Sequence, residues 1–308
     1  LDLLILGAGW TSTFLLPLLS SHDLTHAATT TSGHSVTGED GNSYPTAAFK
    51  FDPSLDSAAQ KSAFANLPTA KNVLITFPLT GEGQSKSVVE AYTQSHLKMR
   101  EDPHFIQLGS TGIWQIEQKD LWTTRHSPYN RDSPRAIAET ELLRLGGCVL
   151  NLAGLWGGPR DPKTWVGRVA KTKGDVKGKK SLHMVHGVDV ARAVVGVMGR
   201  WEKARGERWM LTDGFVYDWW ALMAGWGDVV QKQKEVGGLG EGCAGGGEES
   251  QGKRKEMEEP TEQCRWVYEL MDEEGQRALP RSMEALGRCY DSRDFWKTFG
   301  LVPLKARI

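Results

Sequence analysis

Apolar and polar positions alternate in blocks along the first half of the chain. Leu3–Leu6 (LLIL), 72–77 (NVLITF), 104–108 (HFIQL) and 148–152 (CVLNL) are unbroken apolar or near-apolar runs of strand length. Strands buried on both faces of a parallel sheet read this way. Between them, 11–20, 57–67, 85–98 and 133–145 carry apolar residues at helical spacing. The first holds Phe14, Leu15, Leu16, Leu18 and Leu19, with Pro17 costing it a hydrogen bond. Ser133 and Pro134 predict an N-cap and a first-turn proline for the fourth. Residues 24–31 and 47–52 add two shorter strands. Strand and helix alternate at lengths that suit right-handed βαβ units, which predicts an α/β fold with a doubly wound parallel sheet.

The second half is less regular. Residues 165–180 are basic and glycine-containing, and predict a loop with a short helix. Strands are expected at 181–185 and 208–212, and helices at 188–201 and 217–226. From 231 to 262 the chain is rich in Gly, Lys and Glu, the composition of a flexible insertion. A helix and the apolar stretch 295–303 close the chain. The expected organisation is an α/β domain over 1–155 and a smaller α+β region over 156–308.

The first strand runs straight into Gly7-Ala8-Gly9. Gly7 would permit a tight turn, and Gly9 would let the backbone approach a pyrophosphate at the N-terminus of the next helix. The sheet is therefore expected to be Rossmann-type. A G-x-G-x-x-G pattern asks for glycine at 12, where the chain has Ser12. The second strand ends in Thr29-Thr30-Thr31-Ser32-Gly33-His34, without the carboxylate that holds the ribose hydroxyls of NAD. Hydroxyls there tolerate a 2′-phosphate better than an aspartate, so the expected cofactor is NADP rather than NAD.

Composition narrows the partners. The chain has 308 residues, 39% hydrophobic and 24% charged, with Lys+Arg 37 against Asp+Glu 38 and a formal net charge of -1. That balance argues against nucleic acid or an anionic membrane and for a small-molecule partner. No apolar run approaches the roughly 20 residues of a membrane helix. Cysteines at 148, 243, 264 and 289 form no C-x-x-C, which suits free thiols in a reducing, cytoplasmic setting without a zinc site. Leu1 is not an initiator Met, which leaves room for a short targeting segment ahead of it. G-x-S-x-G and G-x-x-x-x-G-K-[ST] are absent, which removes the nucleophile-elbow and P-loop readings.

Four segments then act together: GAGW at 7–10, GSTGIW at 109–114, NLAGLWGGPR at 151–160 and VHGVDVARAV at 185–194. In order and spacing they resemble the glycine turn, the S-S-T-x-V-Y-G segment, the R-x-A-x-x-Y-G-P-G-R segment and the H-V-x-D-x-A-R-A segment of the extended or atypical short-chain dehydrogenase/reductases. The resemblance covers roughly 1–226 and points to the NAD(P)-dependent epimerase/dehydratase branch. It implies hydride transfer at a nicotinamide, with a hydroxyl placing the substrate oxygen and a Tyr-x-x-x-Lys pair moving the proton. By position Ser110 is that hydroxyl, with Thr111 beside it. The pair is missing: Arg131 and Arg135 occupy its positions, and Tyr129 is the tyrosine nearby. Arginine stays charged and cannot relay a proton, though it can hold a ribose or a phosphate. Tyr129 or Arg135 would face the nicotinamide. Gly7, Gly9, Trp10 and Thr11 would line the pyrophosphate, Thr30, Thr31 and Ser32 the adenosine ribose, and Phe77 and Pro78 the adenosine side. Two functions stay open. One is an NAD(P)-dependent oxidoreductase or epimerase-like enzyme for a small polar substrate. The other is a non-catalytic dinucleotide-binding sensor or scaffold. In the family His186 bonds backbone and Asp189 caps a helix, so His183, His186 and Asp189 are expected to be structural rather than a metal site.

Overall fold

The computed structural model describes residues 1–97, 99, 101–227, 259–306 and 308. A seven-stranded sheet organises the larger of two units, made of 1–160, 183–215 and 290–308. Its strands are β1 (Leu3–Leu6), β2 (His26–Thr30), β3 (Ala47–Ala48), β4 (Asn72–Ile75), β5 (His104–Ser110), β6 (Cys148–Leu152) and β7 (Arg208–Leu211). All are parallel, in the order β7-β6-β5-β4-β1-β2-β3. The order reverses between β1 and β4. That is the switch point outside whose strand ends ligands bind in doubly wound sheets.

The apolar runs are continuous because both faces are covered. Leu3 and Ile5 join Leu15, Leu19, Val190, Val194 and Phe295 on one face. Leu4 and Leu6 join Phe64, Val73, Tyr92 and Leu142 on the other. All four β1 side chains are fully buried, which is worth about 1.5–3 kcal/mol for each such residue at most. The first face is covered by α1 (Trp10–Ser21), α5 (Gly187–Gly199) and α6 (Arg293–Phe299). The second is covered by α2 (Ser57–Ala65), α3 (Gln84–Ser95) and α4 (Pro134–Arg144).

Pro17 sits inside α1 and offers no N–H to the Thr13 carbonyl. The Glu39 N–H donates to that carbonyl instead, at 2.8 Å. Glu39 belongs to a small hairpin, Val36–Thr37 against Ser43–Tyr44, which the sequence pattern does not announce. Pro134 stands at the start of α4 as expected, but the Ser133 side chain makes no capping bond.

The strand at Arg208–Leu211 and the helix at Arg293–Phe299 belong to this larger unit, whereas the linear reading assigns both to the second region. Trp209 and Leu211 extend the core under α5 and α6, which is why the chain returns to the sheet.

The smaller unit comprises 161–182 and 216–289. Ser181–Leu182 pairs antiparallel with Tyr217–Asp218. Asp218 is buried and accepts from the Trp220 N–H, the Arg281 N–H and the Arg281 guanidinium, which also lies 3.9 Å over the Trp220 ring. The basic stretch 171–180 is mostly a short helix, Lys173–Gly178, closed by a capping box between Thr172 and Asp175. Lys173 and Lys177 pair with Glu269, Glu273 and Glu274 of the helix Glu262–Glu274. Of the insertion expected over 231–262, residues 231–258 lie outside the described residues. Its end is the Thr261 cap and first turn of the Glu262 helix. Among the described residues, no helix is long and apolar enough to cross a membrane.

Candidate functional site

The site begins where β1 ends. Gly7 has φ +87°, and a Cβ on it would lie 2.9 Å from Thr76 Oγ1 and 3.1 Å from Phe77 Cδ1. Both the conformation and the space demand glycine. The Gly7 N–H donates to Thr29 Oγ1 at 3.1 Å, and the Ala8 N–H donates to the Thr29 carbonyl. Thr76, at the end of β4, donates to the Gly7 carbonyl. The two strands beside β1 thus hold the turn. Gly9 differs from Gly7: it caps α1 with φ -109°, and its Cβ direction meets nothing within 4 Å. Open space therefore stands before the N-terminus of α1. Ser12, at the third-glycine position, is fully buried, and its hydroxyl has no hydrogen-bond partner among the described residues.

Two cavities adjoin this turn, and Pro78 lines both. The first, of about 260 Å³, is bounded by Gly9, Trp10 and Thr11, by Thr76 and Pro78, by Leu108 and Gly109 at the end of β5, by Leu152 and Leu155 after β6, and by Arg135 and Arg160. The Trp10 indole donates to the Gly157 carbonyl at 3.0 Å, and the Arg160 guanidinium lies 4.4 Å over its ring. Burial lowers the Arg160 pKa from its ordinary value. None of the residues named along this cavity is a carboxylate, histidine, tyrosine, lysine or cysteine.

The second cavity, of about 390 Å³, runs from Gly7 past Thr31 and Lys50 to Phe51, Phe77, Thr80 and Gln84. Phe51 and Phe77 are near-parallel, with centroids 5.8 Å apart. Lys50 is a cation lining it that the pattern of the third strand conceals among Phe49 and Phe51. Each cavity lies near the lower end of the ~300–1,000 Å³ typical of small-molecule sites. Together they offer an extended track across the strand ends.

The expected ribose residues are placed unequally. Thr31 lines the second cavity. The Thr30 hydroxyl is 2.9 Å from Thr46 Oγ1 and accepts from the Gly33 N–H, and Ser32 Oγ lies 2.7 Å from His34 Nδ1. Both therefore shape the loop. Of the residues expected to do chemistry, Arg135 lines the first cavity, but Ser110, Thr111 and Tyr129 are not among its walls. Ser110 Oγ accepts from the Gly112 N–H at 3.1 Å and caps a single 3-10 turn. Thr111 is buried, and its carbonyl accepts from the Tyr290 hydroxyl at 3.1 Å. The Tyr129 hydroxyl lies 3.5 Å from Thr140 Oγ1, and its ring packs against Trp114 and under the Arg208 guanidinium, 4.4 Å away. Burial pushes the Tyr129 phenol up, but the Thr140 bond and the Arg208 charge outweigh it, so its pKa is lowered overall.

Behind Gly109 and Ser110 lies a buried polar network that the sequence reading missed. Glu139, on α4, is fully buried. It accepts from Asn151 Nδ2 at 2.9 Å and from the Ser110 N–H at 3.4 Å, with Arg208 Nη2 at 3.4 Å. Asn151 also donates to the Ser110 carbonyl. A Cβ on Gly109 would fall 2.5 Å from Glu139 Oε1, so this glycine is required by the network. Burial raises the Glu139 pKa despite the Arg208 charge and the Asn151 and Ser110 bonds.

His183, His186 and Asp189 serve separate partners. His183 accepts from the Tyr290 N–H, and His186 caps α5 by accepting from the Val188 N–H. Asp189 accepts from Arg192 and from the Leu304 and Lys305 N–H groups, so it ties down the chain's tail rather than capping its helix.

No family model matches the chain, and no curated protein matches it in sequence. Solved structures do. Vestitone reductase from alfalfa superposes with a TM-score of 0.54 at 15% identity, covering 97% of this chain and 99% of that one. The dTDP-glucose 4,6-dehydratase of Bacillus anthracis, in complex with NAD, gives 0.54 at 12% identity over 99% and 92%. RMD from Pseudomonas aeruginosa, complexed with NADPH, gives 0.50 at 10% identity over 99% and 95%. The chain shares the Rossmann-type fold of these solved structures.

Proposed function

We propose that the chain binds a nicotinamide dinucleotide along the two adjoining cavities and is a reductase- or epimerase-like oxidoreductase for a small polar substrate. The observation that carries this reading is the contrast within one turn. Gly7 is enforced by its neighbours, while Gly9 faces open space at a helix N-terminus lined with cations. That arrangement is suited to a pyrophosphate. Phe51 and Phe77 offer an aromatic place for the adenine. Thr31 and Lys50, with no carboxylate among the residues named along that cavity, favour NADP over NAD. Buried free thiols at Cys148, Cys264 and Cys289 favour a reducing, cytoplasmic setting.

Titration with NADPH and with NADH, followed by tryptophan fluorescence, tests the reading. Both should bind, NADPH about tenfold more tightly, a difference of about 1.4 kcal/mol. Lys50→Ala should erase the preference without weakening NADH. Silence to both dinucleotides overturns the proposal. A second reading, a dinucleotide-binding sensor or scaffold without turnover, is favoured by one observation: the Tyr129 hydroxyl meets Thr140 rather than the cavity. A substrate screen following NADPH absorbance, with Ser110→Ala as control, separates the two.

A further inference from the structure

We propose that the first cavity receives a second oxyanion, a carboxylate or phosphate carried by the substrate, and that Arg135 is its ligand. The inference rests on the dinucleotide reading above.

The two arginines of the cavity are not equivalent. Arg160 lies over Trp10, beside the first turn of α1, where a pyrophosphate would sit. Arg135 comes from α4, on the wall formed with Leu108 and Gly109 at the end of β5. It stands in the first turn of α4, where the helix dipole opposes a cation, so helix stability is no reason for its presence. Among the described residues its guanidinium has no hydrogen-bond or ion-pair partner. The carboxylate it influences electrostatically, Glu139, is fully buried and already engaged by Asn151, Ser110 and Arg208. A half-buried guanidinium facing Leu152, Leu155 and Pro78 therefore waits for an anion. Its planar fork matches a carboxylate or phosphate through two parallel hydrogen bonds. No group named along this cavity titrates near neutrality, so its chemistry there is charge recognition.

The test is calorimetric titration of the NADPH-saturated protein with oxalate and, separately, with inorganic phosphate. At least one should bind. Arg135→Ala should weaken it tenfold or more, and Arg135→Lys, which keeps the charge without the fork, should restore part of the loss. Binding of oxalate alone assigns a carboxylate, and of phosphate alone a phosphate ester. An anion that binds only in the absence of NADPH marks the place of the pyrophosphate and overturns the inference. So does an Arg135→Ala variant that loses NADPH as severely as the anion. NADPH binding with no oxyanion binding overturns the inference alone. No NADPH binding overturns the dinucleotide reading and the inference with it.

Discussion

The glycine turn after β1 and the Ser110 turn after β5 stand at the ends of two parallel strands, yet they are built in opposite ways. The first is held by backbone and hydroxyl contacts from β2 and β4, and its Gly9 faces open space. The second is held from behind by a carboxylate, an amide and a guanidinium, and its own hydroxyl is spent on Gly112. One turn is open towards the first cavity. The other is tethered into the core, with the Tyr290 hydroxyl on the Thr111 carbonyl and the Tyr129 hydroxyl turned to Thr140 of α4. The contrast teaches that a strand end becomes a binding site by what its neighbours leave open, not only by the residues it carries.

The most severe way to break the second turn is to remove its carboxylate. Glu139→Ala leaves Arg208, itself 6% exposed, without its buried partner. Such a loss costs about 3–5 kcal/mol, to be read from chemical denaturation. Glu139→Gln keeps the shape and should cost much less. It should also flatten the pH dependence. The folded protein holds the Glu139 proton more tightly than the unfolded chain does, because burial raises its pKa above 4.5. Its contribution is therefore full at low pH and fades as pH rises through the raised value. Wild type should lose stability over that rise, and the glutamine variant should not.

The glycine turn breaks in two separable ways. Gly7→Ala forces a Cβ against Thr76 and Phe77 at a positive φ, and should lower stability by about 1–3 kcal/mol. Gly9→Val places its Cβ where nothing lies within 4 Å, so its melting temperature should hold while NADPH affinity falls by about a hundredfold, or roughly 2.7 kcal/mol. Equal melting losses in both variants would show that Gly9 is structural too, and the comparison between the two turns would collapse.

Legibility in the sequence follows the same line. The β1 run, Gly7-Ala8-Gly9 and the alternation of strands and helices were readable because each is a local pattern whose meaning depends on backbone conformation. β7 could be predicted as a strand but not placed, since nothing local says that 208–211 pairs with 149–152. The hairpin that answers Pro17 was invisible, because the unused Thr13 carbonyl exists only once α1 has formed. In sequence Tyr129 is the tyrosine near the positions of the missing pair. Its direction is fixed by Arg208 and Thr140, one of them 79 residues away in the chain, and no spacing rule carries that information. Arg135 was readable as a position, and its vacancy as a partnerless cation only in three dimensions.

The smallest expected effect concerns that tyrosine, and it sharpens the comparison most finely. The Tyr129–Thr140 contact is 3.5 Å long and half-buried, at the limit of a hydrogen bond. Tyr129→Phe should therefore change stability by less than about 1 kcal/mol and leave NADPH affinity unchanged, since the ring still packs on Trp114 and under Arg208. If a substrate is found, the same variant tests the proton path. A phenol that stays on Thr140 contributes nothing to turnover, so kcat should survive its removal. A loss of a hundredfold or more, with stability intact, would mean that the hydroxyl leaves Thr140 and enters the cavity when substrate binds. The Arg208 guanidinium over its ring would then stand beside the phenol as it gives up or takes the proton, and the second turn would be a site held closed rather than a wall.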